Sequence, residues 1–135
     1  MKTGTVEKTS KKQVLVMDDD PIIRELTKQS LEFLGYHVET TENGEEAIDL
    51  YRNFYERGQR VHAVLLDINV TDGMGGVEAG ERIMEIDRRA VLIVTSGQID
   101  RSLNHEMGNK GIKACLAKPF KIAELQATLS QFITE

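Results

Sequence analysis

Acidic residues follow two apolar runs of the sequence, and a lysine follows a third. Asp18–Asp20 come directly after the first run, Asp67 ends another, and Lys118 stands behind the last. Carboxylates this close repel one another unless a hard cation lies among them, and Mg²⁺ prefers oxygen ligands. An aspartate at the end of a strand can attack phosphorus, and a lysine can hold phosphoryl oxygens. The residue types therefore indicate Mg²⁺-dependent phosphoryl chemistry, provided that the fold brings them together.

Five short apolar runs alternate with helical patterns and predict an α/β fold of the (βα)₅ type. The predicted strands cover residues 14–17, 37–40, 63–66, 90–95 and 113–117. Three of these runs are almost continuously apolar, which is typical of a parallel sheet covered on both faces. Ligands bind such a sheet beyond the carboxyl ends of its strands. The aspartates, the lysine and the hydroxyls of Thr95 and Ser96 should therefore converge on one edge.

The first and fourth predicted helices contrast in how much they can bury. In the first, Asp20 is the N-cap and Pro21 the first helical residue, and its helically spaced apolar residues should form a core stripe. These residues are Ile22, Ile23, Leu26, Phe33 and Leu34. The fourth helix, at 100–111, offers only Leu103 and Met107 for burial and contains two glycines. We therefore expect it to be the least stable element.

Composition bounds the classes of function. The 135 residues suit one domain, and a formal net charge of −5 argues against binding to nucleic acid. A single cysteine suits a reducing compartment, and no apolar run approaches the length of a membrane span, so we expect a cytoplasmic location without membrane contact. Residues 1–12 are predicted to be a disordered lead or linker, and residues 13–135 the domain.

Four motifs in order resemble the receiver domain of bacterial response regulators: "VLVMDDDPIIRE", "VLLDIN", "VTSG" and "AKPF". The resemblance covers residues 13–133. It implies a flavodoxin-like doubly wound sheet with strand order 2-1-3-4-5. It also implies a phosphoacceptor module of a two-component phosphorelay, whose partner is a histidine kinase or a histidine phosphotransfer domain. A phosphorylation-dependent homodimer through the face between the fourth strand and the fifth helix is a further expectation.

Position by position, the resemblance assigns the acidic residues to the phosphoacceptor and to an Mg²⁺ cofactor. It makes Asp67 the phosphoacceptor and a metal ligand. Asp19 would bind Mg²⁺ directly, and Asp18 would act mainly through a bound water. Asn69 would offer its backbone carbonyl to the same ion.

The remaining motif residues are expected to contact the phosphoryl group. The switch hydroxyl of the family falls on Ser96, or on Thr95 if the alignment slips by one residue. Lys118 would contact the phosphoryl group, and Pro119 would follow a cis peptide bond. The family places Tyr or Phe three residues before this lysine, but the present sequence has Cys115 there, so the aromatic switch is absent.

The segment behind Asp67 also departs from the family pattern. Thr71 stands where the family usually has proline, and the "DGMGG" loop at 72–76 is one residue longer than usual. The long loop resembles a subgroup found in hybrid sensor histidine kinases. The chain stops soon after its last predicted helix, which favours either the receiver of a hybrid kinase or a single-domain regulator. The glycines lack the Lys-Ser/Thr of a P-loop, so we expect a turn and not a phosphate cradle.

Two other classes of function remain in view. The first is an Mg²⁺-dependent phosphatase of the haloacid dehalogenase type, which also uses an aspartate nucleophile at a strand end. Such enzymes carry a second aspartate two residues later as a general acid, and Asn69 occupies that position. The second is a flavodoxin-like binder of small ligands, which would give no reason for Lys118 or for the carboxylate cluster.

Overall fold

A computed structural model of the chain describes residues 11–71 and 73–133, in which five strands alternate with five helices. The strands are β1 (Gln13–Met17), β2 (His37–Thr41), β3 (Ala63–Asp67), β4 (Leu92–Ser96) and β5 (Ala114–Ala117). The helices are α1 (Pro21–Phe33), α2 (Gly44–Glu56), α3 (Gly76–Ile86), α4 (Arg101–Asn109) and α5 (Ile122–Phe132). Each predicted strand lies within two residues of the observed one.

The five strands form one parallel sheet in the order β2-β1-β3-β4-β5, which confirms the predicted fold class. Residues alternate between the two faces of each strand. On β1, Leu15 and Met17 belong to one apolar core, whereas Val14 and Val16 belong to the other. Helices therefore cover both faces, and the carboxyl ends of β1 and β3 meet at the edge that carries the acidic residues.

The N-cap of α1 is confirmed, because the Asp20 side chain accepts hydrogen bonds from the amides of Ile22 and Ile23. The core stripe predicted for this helix is wrong in three of its members. Exposed fractions are 70% for Ile22, 57% for Leu26 and 78% for Phe33, while Thr27 and Leu31 are the buried residues.

Helical geometry explains this difference. At about 100° per residue, Ile22, Leu26 and Phe33 lie within about 40° of one another and about 140° from the stripe of Thr27 and Leu31. A helix packed on a flat sheet buries one stripe only. The apolar residues of α1 therefore form a second, exposed stripe, which we call the α1 apolar stripe.

The predicted lead at residues 1–12 lies, for its first ten positions, outside the described residues. At Lys12 the backbone is already paired, since its carbonyl accepts a hydrogen bond from the amide of His37. Over 11–71 and 73–133, none of the helices is both long enough and apolar enough to cross a bilayer.

Candidate functional site

Three strand ends place the charged residues of the site. Asp18 follows β1, Asp67 is the last residue of β3, and Lys118 follows β5. Because the strands are parallel and their carboxyl ends share one edge, the three side chains meet there. Asp18 and Asp67 are each only 4% exposed, so their charges require compensation within the protein.

Lys118 supplies that compensation to both carboxylates. Its Nζ lies 2.7 Å from Oδ2 of Asp18 and 3.4 Å from Oδ1 of Asp67. Burial alone would lower the pKa of Lys118, but the hydrogen bond and charge of Asp18, together with Asp67, outweigh it and raise the pKa. The lysine therefore stays an ammonium ion, and one positive charge serves two buried negative ones.

Asp67 is set up as a nearly buried carboxylate with fixed orientation. Its Oδ1 accepts a hydrogen bond of 3.1 Å from the backbone amide of Asn69. Burial raises the pKa of Asp67, while the Asn69 amide and Lys118 act in the opposite direction. The net result is a pKa above the ordinary value of 3.8. A carboxylate whose negative charge is poorly solvated is a suitable nucleophile towards phosphorus.

Asp19 is only partly buried and is held from the loop that follows β3. The backbone amide of Thr71 donates a 3.0 Å hydrogen bond to its Oδ2. That bond is the main reason why the pKa of Asp19 is lowered, against a smaller opposing effect of burial. Asp19 is therefore ionised throughout the neutral range.

The three carboxylates fit a divalent cation. Asp18, Asp19 and Asp67 each offer one oxygen, and these oxygens lie within 4.8 Å of one another. Three negative charges face one ammonium group, so the cluster has an excess of negative charge that a cation would neutralise. An all-oxygen donor set suits Mg²⁺ and not a softer metal. These side chains would hold the ion, and the contribution of the Asn69 carbonyl stays a prediction.

The two candidate switch residues, Thr95 and Ser96, are consecutive at the end of β4, and both are buried. Thr95 is paired in register with Asp67. The Ser96 hydroxyl donates to the carbonyl of Gln98 over 3.0 Å and accepts from the Gln98 amide over 3.2 Å. The prediction that names Ser96, or Thr95, as the switch therefore stays open.

Two further features were singled out near Lys118, the peptide bond before Pro119 and the residue at position 115. The peptide bond between Lys118 and Pro119 is cis. Cys115, which occupies the position of the aromatic switch, is half-buried on β5, and burial raises the pKa of its thiol. The thiol is therefore poorly suited to react as a thiolate.

The glycine-rich loop is tied to its surroundings through close backbone contacts. A Cβ on Gly76 would lie 2.5 Å from the carbonyl oxygen of Asp67. The carbonyl of Met74 accepts from the Gly44 amide over 2.8 Å, and the Met74 amide donates to the Glu45 side chain over 3.0 Å. The glycine at position 76 thus allows the start of α3 to lie against the end of β3.

Two contacts were not found from the sequence. The Arg24 guanidinium donates to the backbone carbonyl of Asp18 over 2.7 Å, which fixes the turn between β1 and α1. Its position one helical turn after the N-cap was the available signal. The bond from Thr71 to Asp19 depends on the path of a loop, and only the residue type at position 71 hinted at it.

Comparison with known proteins agrees with this geometry. The sequence model described as "Response regulator receiver domain" matches residues 14–130. The chain is 31% identical to the chemotaxis protein CheY of Thermotoga maritima over 122 residues, covering 89% of this chain and 96% of CheY. It is 32% identical to the transcriptional regulatory protein CrdR of Helicobacter pylori over 128 residues, covering 92% of this chain.

The chain spans about half of the curated regulators that it matches first: 56% of CrdR and 50% of the CpxR homolog of Haemophilus influenzae. Among solved structures, it resembles response regulator protein TrrA of Thermotoga maritima in complex with Mg(2+)-BeF, with a TM-score of 0.76 and 30% identity. That alignment covers 90% of this chain and 99% of TrrA.

Proposed function

The chain belongs to the family of response regulator receiver domains of two-component systems, and we propose that it accepts a phosphoryl group on Asp67 from a phosphohistidine. The donor is a histidine kinase or a histidine phosphotransfer domain. The observation that carries the proposal is the position of Asp67, nearly buried at the sheet edge between two other aspartates and Lys118.

The transfer step exchanges one bond to phosphorus for another. A carboxylate oxygen of Asp67 attacks phosphorus while the P–N bond of the phosphohistidine breaks. The electron pair of that bond returns to the imidazole ring, which leaves the site with its ring nitrogen free to take a proton from water. The product is an aspartyl phosphate, and no other covalent bond of the protein changes.

The surrounding residues control the charge that accumulates during this step. The ammonium group of Lys118 lies beside Asp67 and would bind the phosphoryl oxygens as negative charge develops on them. Asp18 and Asp19, with Asp67, would hold Mg²⁺, which neutralises phosphoryl oxygens when bound. The amide of Asn69 keeps the Asp67 carboxylate oriented for attack.

We assign the switch hydroxyl to Ser96, with Thr95 as the other candidate. Ser96 lies at the last position of β4 and already contacts the segment that leads into α4 through Gln98. A hydroxyl in that position can donate a hydrogen bond to a phosphoryl oxygen on Asp67. In doing so it would give up its bond to Gln98 and change the segment that leads into α4. Replacing Ser96 by Ala, or Thr95 by Val, distinguishes the two, because only one change should uncouple labelling of Asp67 from the response of α4.

The donor protein is proposed to dock in the groove beside α1, which includes Leu26 of the α1 apolar stripe. A groove of about 310 Å³ separates Leu26 of α1 from Pro119 and Phe120. Lys118 lines the same groove and also contacts Asp67, so a helix placed there would lie next to the lysine that contacts the acceptor. An apolar surface next to a phosphoacceptor suits a partner that must desolvate the site before transfer.

Two settings are open for this domain in the cytoplasm: the receiver of a hybrid histidine kinase, or a single-domain regulator. A tethered receiver meets its donor at a local concentration of about millimolar, so it need not bind the donor tightly by itself. Phosphotransfer from a cognate kinase core, measured over a range of receiver concentrations, separates the settings. Saturation at low micromolar concentration favours the diffusing regulator, whereas a rate that rises towards millimolar favours the hybrid.

The expected homodimer would use the face between β4 and α5. Static light scattering before and after labelling tests it. A doubling of the mass only in the labelled protein supports the dimer, and an unchanged mass at concentrations up to about a millimolar contradicts it.

The proposed function is tested by incubating the chain with Mg²⁺ and acetyl phosphate and then measuring its intact mass. The wild type should gain a single phosphoryl group, and Asp67→Asn should gain none. Asp20→Asn is the matched control, since asparagine caps a helix about as well as aspartate and the residue stands beside the site. Full labelling of Asp67→Asn would refute the assignment.

A further inference from the structure

The three carboxylates of the site are held by different groups. Lys118, which directly follows β5, contacts Asp18 and Asp67. Asp19 is held instead by the amide of Thr71, 52 residues away in sequence, over 3.0 Å. The orientation of Asp19 therefore depends on the loop after β3.

The loop that carries Thr71 is itself anchored to a helix. Three residues after Thr71, the Met74 carbonyl accepts from the amide of Gly44 and the Met74 amide donates to Glu45, both at the start of α2. A Cβ on Gly44 would lie 2.8 Å from that carbonyl, so the two segments are in close contact. The segment that supplies the Thr71 amide is therefore anchored, through Met74, to the start of α2.

The residue type at position 71 decides whether the bond to Asp19 can exist. Proline has no N–H, so a proline at this position could not donate to the carboxylate. Any other residue type would retain the amide. The contact of Thr71 with Asp19 is therefore a property of sequences that lack proline at this position.

We propose that Thr71 is a positioning residue for cation binding, whose backbone amide holds the Asp19 carboxylate in the orientation that a divalent cation needs. The inference rests on the proposed function, because it takes Asp19 as a ligand of the cation. One oxygen of Asp19 is fixed by the amide, and the carboxylate no longer has to be ordered when the ion arrives. Loss of such an outer partner of a metal ligand costs about 10- to 100-fold in affinity.

The test compares the Mg²⁺ dissociation constants of the full chain and two variants by isothermal titration calorimetry. Thr71→Pro removes the amide donor and should weaken binding about tenfold. Thr71→Ala keeps the amide and loses the hydroxyl, whose effect on Asp19 is smaller than that of the amide, so binding should stay within about threefold of the wild type. Thermal unfolding of all three proteins in EDTA verifies that the variants are folded.

A second measurement does not depend on the proline variant. In the wild type without cation, NMR should detect a scalar coupling across the hydrogen bond between the Thr71 amide nitrogen and the Asp19 carboxyl carbon. Exchange of the Thr71 amide with deuterium should be faster in Asp19→Ala, because the acceptor is gone. The absence of both effects would overturn the inference.

The outcomes separate this inference from the proposed function. Equal Mg²⁺ affinity in Thr71→Pro and the wild type would overturn the role of Thr71, while labelling of Asp67 by acetyl phosphate would still stand. Failure of the wild type to bind Mg²⁺, or to be labelled at Asp67, would contradict the proposed function itself. Weaker binding in Thr71→Pro with near-normal binding in Thr71→Ala supports the inference.

Discussion

Lys118 and Asp18 form an ion pair of 2.7 Å across 100 residues of sequence. The side chains are 17% and 5% exposed, so solvent screens the pair weakly. The pair links the end of β5 to the end of β1, although the two strands are not neighbours in the sheet. This ion pair thus neutralises the buried charge of Asp18, and it joins β1 to β5 across the ends of β3 and β4.

Replacing Lys118 by Met should destabilise the protein, because it leaves the buried carboxylates of Asp18 and Asp67 without their ammonium partner. The expected loss is about 3 kcal/mol of unfolding free energy, typical of a buried pair that loses one member. Urea denaturation in EDTA measures it. Lys113→Met, at an exposed position, is the control and should change little. Equal unfolding midpoints for the two variants would contradict the prediction.

Asp67→Asn should change how stability depends on pH. The pKa of Asp67 is raised in the folded protein, chiefly by burial, so ionising this group costs folding free energy. That cost is absent below the ordinary value of 3.8, grows as the pH rises through the raised pKa, and remains in full above it. In EDTA, the asparagine variant should therefore gain stability over the wild type as the pH rises.

This difference is measured by urea denaturation of both proteins at about pH 4 and about pH 7. The advantage of the variant should be larger at the higher pH. An advantage that is the same at both values, or that shrinks with rising pH, would show that burial does not raise the pKa of Asp67.

Gly76→Ala should destabilise the start of α3. The added Cβ would lie 2.5 Å from the Asp67 carbonyl oxygen, and backbone atoms cannot move aside as a flexible side chain can. We expect a loss of about 2 kcal/mol or more, as for overpacking elsewhere. The matched control is Gly108→Ala in α4, where no atom lies within 4 Å of the added Cβ and helix propensity should give a small gain.

Leu26→Asp should slow phosphotransfer from a histidine kinase without affecting labelling by acetyl phosphate. The side chain is exposed, so the change should not disturb the core, but it places a charge in the proposed docking groove. Tyr55→Asp, at another exposed apolar position on α2, is the control. A parallel loss with both donors would place Leu26 in the folding or the chemistry of the domain, and not in docking.

Helix α4 should open at low free-energy cost. Its nine residues bury only Met107, and Gly108 interrupts its last turn. Amide exchange over 101–109 should therefore be faster than over α1, which buries Thr27 and Leu31. Phosphorylation is expected to slow it. Protection equal to that of α1, unchanged by labelling, would contradict the prediction.

The convergence of Asp18, Asp67 and Lys118 could be predicted because a parallel sheet leaves little choice. Alternating apolar runs and short connections fix the fold, and the residues that end the strands then share one edge. The N-cap Asp20 was likewise predictable, because its side chain acts on amides within three residues of itself. Local and topological rules are sufficient for this much of the molecule.

The burial of α1 and the bond from Thr71 to Asp19 could not be predicted, for two different reasons. Apolar residues at helical spacing show that a face is apolar, but only the neighbouring elements decide whether it is covered, as Leu26 illustrates. The bond to Asp19 depends on the path of a glycine-containing loop, and a glycine permits many paths. Sequence patterns are weakest where the backbone has most freedom.

If Ser96 is the switch hydroxyl, as proposed, its two hydrogen bonds with Gln98 limit how it can respond. A serine hydroxyl has one proton to donate, and Ser96 already donates it to the carbonyl of Gln98. The same hydroxyl accepts a hydrogen bond from the Gln98 amide. A phosphoryl oxygen on Asp67 would then receive this hydrogen bond only if the hydroxyl stopped donating to the carbonyl of Gln98. Loss of that bond would free the backbone at Gln98, two residues before Asp100, whose side chain caps α4. A chemical change at one aspartate would thereby reach a helix at the cost of a single neutral hydrogen bond, about 1 kcal/mol.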